Sequence, residues 1–144
     1  MDFTSLDARG GAETSQRMTI LHPLTGKPIT HDDKPCYALV KGAHARTVQD
    51  AAQAAARAQM QRDKETGEEA KETYHESMVR FAMLVLDGFE NVVFDGKAAT
   101  KADARRFLDL FMTVPGENKP GSFAQQVVTF ANEVTHFLPE TSAA

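Results

Sequence analysis

The sequence predicts an α+β fold in which a small N-terminal antiparallel β-sheet of two to three strands is followed by about four α-helices. Residues 18–43 contain short runs of β-branched and aromatic side chains that are separated by proline and glycine, as in strands joined by turns. Farther along the chain, apolar residues recur every three or four positions, as on one face of a helix. Four helix-start signals precede or open those stretches, at Thr47, Thr66, Thr100 and Ser122.

The β-rich part is predicted to span residues 17–44. We expect strands around residues 18–21 and 36–40, with a turn at Thr25-Gly26. Pro35 suits the start of the last strand because it has no backbone donor to lose there. Residues 1–16 contain only Phe3 and Leu6 as large apolar side chains and show no periodicity, which predicts a flexible arm that becomes ordered on a partner or a neighbouring subunit.

The helical part is predicted to span residues 45–138, and residues 17–144 are predicted to form a single domain. The first helix should run from Thr47 to about Glu65 and is rich in alanine, so it can be a solvated arm or a face for close helix approach. The second should begin at the capping-box pattern of residues 66–69, carry an apolar face as far as Phe89, and end with Gly88 as its C-cap.

An extended piece and a turn are predicted at residues 92–96, before the last two helices. The third helix should start at Thr100 and end before Pro115-Gly116. The fourth should start at the capping box formed by Ser122 and Gln125, carry an apolar stripe as far as Phe137, and end at Pro139.

Composition restricts the classes of function. A length of 144 residues suits one domain with a real core, and the net charge of −4 does not favour binding to nucleic acid, which needs basic surface. The longest purely apolar run, residues 81–86, is far shorter than the ~20 residues of a transmembrane helix. The single cysteine and an N-terminus without a secretory signal predict a cytosolic protein that binds no membrane.

The sequence has no recognisable catalytic or metal-binding motif, so we expect neither an enzyme nor a cofactor. None of the five histidines has metal-ligand spacing, and Cys36 lies in an apolar run typical of an inert core thiol. His31-Asp32-Asp33 could be a weak cation site or general base, or a solvated turn. The basic residues Lys97, Lys101 and Arg105-Arg106 could contact an acidic partner or form a solvated helix face.

The phenylalanines are the most informative feature, because most of the nine lie between residues 81 and 137. They can form an ordinary helical core, or part of their surface can be a groove for an amphipathic helix of another chain, and both can hold at once. The candidate partner-binding residues are Phe107, Phe111, Phe123, Val127, Phe130 and Phe137.

Several segments of the chain together resemble one protein family. They are Met1-Asp2-Phe3-Thr4-Ser5-Leu6-Asp7, Leu21-His22-Pro23-Leu24-Thr25-Gly26-Lys27-Pro28-Ile29, Gly88-Phe89-Glu90-Asn91-Val92, Asp95-Gly96-Lys97, and Gln126-Val127-Val128-Thr129-Phe130 with Phe137-Leu138. With these segments the chain resembles the tail assembly chaperones of long-tailed bacteriophages. It departs from them in having Phe89 in place of a tryptophan and a longer segment at residues 114–121.

The resemblance implies a binding protein that acts in the host cell cytoplasm. It would bind the tape-measure protein, a very long helix-rich chain, and keep the apolar stripes of that chain soluble during tail assembly. The tail tube protein is a second candidate partner, and self-association into a homo-oligomer is a further expectation. The alternative is a virion structural protein, such as a connector or tail component, that packs in a multimeric ring.

Overall fold

The computed structural model describes residues 3–67, 74–110 and 121–137. The strands are β1 (Gln16–Thr19), β2 (Thr30–His31), β3 (Lys34–Pro35), β4 (Tyr37–Val40), β5 (Leu86–Glu90), β6 (Val93–Phe94) and β7 (Lys97–Ala98). The α-helices are α1 (Ala8–Gly11), α2 (Arg46–Thr66), α3 (Tyr74–Val85), α4 (Ala104–Leu108) and α5 (Phe123–Asn132). Short 3₁₀ turns occur at Phe3–Leu6, Lys101–Asp103 and Val134–Phe137. The predicted α+β class and the small antiparallel sheet are confirmed.

The central sheet has three antiparallel strands in the order β1-β4-β5. Met18 pairs with Ala38, and Ala38 pairs in turn with Phe89. Met18, Ala38 and Val40 are buried, as expected of strands with one face on the core. Helices α3 and α5 pack on each other and, with α4 and the sheet, complete that core.

The prediction assigns residues 86–89 to the end of a helix, but strand β5 lies there instead. That assignment, with Gly88 as its C-cap, is wrong: α3 ends at Val85 and the chain passes directly into β5, where Gly88 pairs with Leu39. The spacing of the apolar residues around position 86 is compatible with either a helix or a strand. The open edge of β4 decides between them because it offers the backbone hydrogen-bond partners that a strand needs.

The two ends of α2 also differ from the prediction. Its N-cap is Ala45, whose side chain cannot cap, and Thr47 lies inside the helix. The Glu13 carboxylate instead accepts hydrogen bonds from the amide and the hydroxyl of Thr47, at 3.1 and 2.7 Å. Thr66 is the last residue of α2 rather than the start of the next helix. Gly67 then adopts φ +70° as the C-cap, and its amide donates to the Asp63 carbonyl.

Both later helix starts are confirmed. The Asp103 carboxylate accepts from the Thr100 amide at 2.9 Å, although the first turn there is 3₁₀, and Ser122 Oγ accepts from the Gln125 amide at 3.2 Å. The predicted ends of both helices are wrong: α4 ends at Leu108 rather than just before Pro115, and α5 ends well before Pro139. Helix α5 stops at Asn132 because Glu133 is extended, and the separate turn that follows directs Phe137 back into the core.

The end of the predicted N-terminal arm packs on the body of the protein. Ala12 is fully buried, and its carbonyl accepts from the Gly42 amide at 3.0 Å. Gly11 lies so close to the Phe137 carbonyl oxygen that a Cβ there would collide with it. Packing therefore begins before residue 17, whereas Phe3 and Leu6 point into solvent.

The predicted turns are confirmed. Gly26 has φ +73°, and Asp95-Gly96, with φ +52° and +80°, form the two-residue loop between β6 and β7. Positive φ at both loop positions matches the twist that a tight hairpin requires. Among the described helices, none is long and apolar enough to cross a membrane.

Candidate partner-binding site

Four of the six residues predicted to bind a partner lie in the protein's own core. They are Phe107, Phe123, Val127 and Phe137. The Phe107 and Phe123 rings stack with centroids 4.6 Å apart, and Phe89 meets Phe107 edge-on at 5.1 Å. These contacts join β5, α4 and α5, so this aromatic cluster holds the fold together and is largely covered in it.

The other two predicted residues differ from those four. Phe130 is half-buried; its ring stacks on His136 at 4.1 Å and meets Phe137 edge-on at 5.8 Å. It lines a cavity of about 290 Å³ beside Met18 and Thr19 of β1. Phe111 lies outside the described residues. Phe130 is therefore the only described member of the predicted set with substantial exposure.

An apolar groove lies elsewhere, between α2 and α3, and we call it the α2–α3 groove. Its volume is about 380 Å³. Its apolar lining is Ala52, Ala55 and Ala56 from α2 and Phe81 and Leu84 from α3, and its polar lining is Gln59, Ser77 and Arg80. Alanine on one wall lets another backbone approach closely, while the phenylalanine and leucine offer apolar area to bury.

The C-terminal half of α2 continues beyond the groove, and it has few tertiary contacts to stabilise it. Met60 is exposed, and Gln59 and Asp63 are half-buried and bonded to each other at 3.0 Å. A 21-residue helix is about 30 Å long, and its alanines give it high intrinsic helix propensity. Local propensity therefore replaces packing as the main support for this half.

The sequence pattern predicts the α2 wall and the α3 wall separately, but it does not predict the groove between them. It described α2 as a solvated arm or a close-approach face, and it found the apolar stripe of α3. No local signal shows that Ala52 and Ala56 lie beside Phe81 and Leu84, because the two walls are far apart in the chain and only the tertiary structure joins them.

Most of the predicted basic cluster forms ion pairs within the chain. Arg105 pairs with Asp109 at 2.8 Å, Arg106 with Asp95 at 2.8 Å, and Lys101 with Asp87 at 3.9 Å. The hydrogen bond from Arg106 lowers the pKa of Asp95. Three of the four basic residues thus already have acidic partners within the chain, which favours the solvated-face interpretation over contact with an acidic partner protein.

The two remaining candidates for chemistry are the His31-Asp32-Asp33 cluster and Cys36, and both lie in ordinary structural settings. Asp32 and Asp33, with φ +52° and +62°, form the exposed turn between β2 and β3, and His31 lies 3.4 Å from Asp32. Burial raises the pKa of the Cys36 thiol, which disfavours the nucleophilic thiolate. Within residues 3–67, 74–110 and 121–137, no three histidine, cysteine, aspartate or glutamate side chains are placed to hold a metal ion.

Comparisons of the chain with protein-family models, with curated proteins and with solved structures find no match. The likeness to tail assembly chaperones therefore rests on the sequence segments named above. Among the surfaces of the described residues, the α2–α3 groove combines an apolar lining with an exposed helix.

Proposed function

We propose that this protein is a phage tail assembly chaperone that binds apolar helices of the tape-measure protein in the α2–α3 groove. The observation that carries the proposal is the groove itself, in which Phe81 and Leu84 stand beside the alanines of α2. An amphipathic helix of the partner would lie along α2 and cover these side chains. The tail tube protein is a second candidate partner.

The energetic basis is burial of apolar surface on both chains. Each Å² of apolar area removed from water contributes roughly 25 cal/mol, so a partner helix that covers Phe81 and Leu84 would gain several kcal/mol before the cost of association. The acidic stretch at residues 63–76, with six acids and two bases, would help keep the complex soluble.

Two alanines of α2 provide a matched test. Ala56 lines the groove, and Ala54 is exposed and lies two positions, about 200° of helix, from Ala56. Arginine is a good helix former, so A56R and A54R should both fold. When each variant is co-expressed with the tape-measure protein of the same phage, wild type and A54R should keep that protein soluble and copurify with it. A56R should lose both properties.

The proposal fails if the tape-measure protein is equally insoluble with and without the wild-type chain. Equal rescue by A56R and wild type would retain the chaperone activity but exclude the α2–α3 groove as its site. Circular dichroism of the purified variants provides the folding control, since both must retain the wild-type helical signal.

The second candidate function is a virion structural protein, such as a connector or tail component. The exposed side chains of Phe3 and Leu6 favour it, because apolar side chains at the end of an arm can bind a neighbouring subunit. Mass spectrometry of purified particles separates the two: a structural protein is present at a fixed copy number, whereas a chaperone is absent.

A further inference from the structure

Strand β1 forms one edge of the central sheet, because the described strands of that sheet have the order β1-β4-β5. In an antiparallel pair, the backbone groups of successive residues point alternately toward the partner strand and away from it. The Ile20 amide donates to the Cys36 carbonyl at 3.0 Å, so the backbone groups of Met18 also face β4. The amide and carbonyl groups of Arg17 and Thr19 therefore point away from β4, and they have no hydrogen-bond partner among the described residues.

The same edge is occupied farther along, at Leu21. The Gln126 side chain on α5 accepts a hydrogen bond from the Leu21 amide at 3.0 Å and donates one to the Leu21 carbonyl at 2.9 Å. This side-chain amide thus supplies the donor and the acceptor that the backbone of a neighbouring strand would supply. An added strand could therefore pair with Arg17 and Thr19 but would have to begin there, because Gln126 already fills the next position of the edge.

An apolar pocket opens beside the unpaired part of this edge, between β1 and α5, and we call it the β1–α5 pocket. Its volume is about 290 Å³, and Met18, Leu21 and Phe130 supply its apolar lining. A residue paired opposite Met18 would carry its side chain on the same face of the sheet as Met18. Because Met18 is buried and α5 packs over that face, this side chain would enter the pocket.

The described lining of the pocket includes one acidic side chain and neither lysine nor arginine. The acid is Glu133, whose side chain is 53% exposed and whose carboxylate lies 2.6 Å from Nε2 of His136; its neighbours in the sequence are uncharged. Arg17, the one charged residue of β1, lies on the other face of the sheet and is paired with Glu90 at 2.6 Å. A basic side chain on an added strand would therefore be attracted to Glu133.

The direction of α5 fixes where along β1 this acid lies. Gln126, in the first half of the helix, binds Leu21 beyond the last residue of β1. Near the other end of the helix, the Ala131 carbonyl accepts at 2.8 Å from an amide just beyond the end of β4 that pairs with Gln16. Helix α5 therefore runs antiparallel beside β1, and Glu133 lies toward Gln16.

From these observations we infer that β1 binds an extended segment of another protein as a fourth, antiparallel strand of the central sheet. The segment places a large apolar side chain opposite Met18, in the β1–α5 pocket, and a lysine or arginine two residues later, opposite Gln16 and beside Glu133. Its backbone exchanges two hydrogen bonds with Arg17 and two with Thr19. The inference does not rest on the proposed chaperone function, because the β1–α5 pocket and the α2–α3 groove share no lining residue.

The test measures binding of short fluorescent peptides to the full-length protein by fluorescence anisotropy. The probe is acetyl-Thr-Phe-Thr-Lys-Thr-Ser, labelled at its C-terminal end, in which the phenylalanine is intended for the pocket and the lysine for Glu133. The probe should bind saturably. Replacing its phenylalanine with serine should weaken binding at least about tenfold, because the apolar anchor is lost.

Backbone methylation of the probe separates strand pairing from insertion of the phenylalanine alone. In the inferred register, the amides of the two threonines that flank the phenylalanine point toward β1, whereas those of the phenylalanine and the lysine point away from it. Methylating the two threonine amides should weaken binding at least about tenfold, because two hydrogen bonds are lost. Methylating the phenylalanine and lysine amides should leave the affinity within about threefold.

Matched variants of the protein test the edge and the charge. Thr19→Pro removes the outward-facing amide, and an edge strand tolerates proline at such a position, whereas Thr19→Val keeps the amide. T19P should bind the probe at least about tenfold more weakly than T19V, which should bind as wild type does. Glu133→Gln should weaken binding of the probe by about threefold but should not affect a probe whose lysine is replaced by threonine.

The inference is overturned if wild type shows no saturable binding of the probe up to about 1 mM. Equal binding by T19P and T19V, or equal effects of the two methylation patterns, would also overturn it. Circular dichroism checks that T19P is folded. If T19P does not fold, the methylated probes decide the question, because they leave the protein unchanged.

Discussion

At position 91 the backbone is left-handed, with φ +59°, and the asparagine side chain reaches across to the turn between β2 and β3. Asn91 Nδ2 donates to the carbonyl oxygens of His31 and Lys34 at 3.0 Å and of Pro35 at 3.2 Å. Through these hydrogen bonds, one side chain stabilises a turn that is about 60 residues away in sequence. Asparagine suits this position because it tolerates a left-handed backbone and carries an amide donor.

Replacing Asn91 with aspartate should destabilise the protein more than replacing it with glycine. Asn91→Gly removes the three hydrogen bonds but favours the left-handed backbone, whereas Asn91→Asp keeps the shape and places a carboxylate against three carbonyl oxygens. We expect the aspartate variant to lose about 1–3 kcal/mol in the free energy of unfolding by urea denaturation at neutral pH. Equal stability of N91D and wild type would show that these hydrogen bonds do not form.

Among the elements, α2 is capped at its N-terminal end by a residue that is distant in the sequence. Its own N-cap, Ala45, offers no side-chain acceptor, and Glu13 occupies that role from the segment before β1. The hydrogen bond from the Thr47 hydroxyl, followed by that from the Thr47 amide, lowers the pKa of Glu13. A carboxylate at the N-terminal end of a helix also interacts favourably with the helix dipole.

This arrangement predicts a pH-dependent link between the N-terminal segment and α2. Because the folded-state pKa of Glu13 lies below its ordinary value, its stabilising contribution is present above that ordinary value and is lost as the pH falls through the lowered pKa. Wild type should therefore be more stable than Glu13→Gln at pH 7, and the difference should shrink below about pH 4. Urea denaturation midpoints of both proteins from pH 7 to pH 3 measure it.

Thr47→Val supplies the control for Glu13, since it removes the hydroxyl that contributes most to the lowered pKa. The stability difference between E13Q and wild type should be smaller when both carry Thr47→Val. A difference that is constant with pH would contradict the assignment, because protonation of Glu13 would then leave its contribution unchanged.

Across the whole molecule, Phe137 connects the two ends of the described chain. It is buried, and its ring and carbonyl face Gly42 and Gly11, so the last described residue covers the segment that precedes β1. The sequence pattern placed Phe137 on the same helical stripe as Phe130. The break at Glu133 instead directs it to a different part of the core.

Phe137→Ala should therefore destabilise the entire fold, by about 3–5 kcal/mol as for other fully buried phenylalanines. Phe130→Ala should cost clearly less, because that ring is only partly buried. Denaturation gives both values, and hydrogen exchange of residues 11–16 should increase in F137A but not in F130A. If the two variants lose the same stability, Phe137 does not have the packing described here.

Local sequence was sufficient for the fold class, the turn at Asp95-Gly96, the strands on either side of Thr25-Gly26, and the cap at Ser122. In each case the deciding interaction lies within a few residues, such as a hydroxyl and an amide three positions apart or a backbone that needs positive φ.

Only the tertiary structure decided the rest. Residues 86–90 became a strand because β4 offered an open edge, α2 obtained its cap from Glu13, and Phe107, Phe123 and Phe137 were covered by elements distant in sequence. The periodic spacing of apolar residues predicts that a side chain will be buried, but it does not predict which surface will cover it. The predicted aromatic binding face is for that reason mainly core, while the groove lies where α2 and α3 meet.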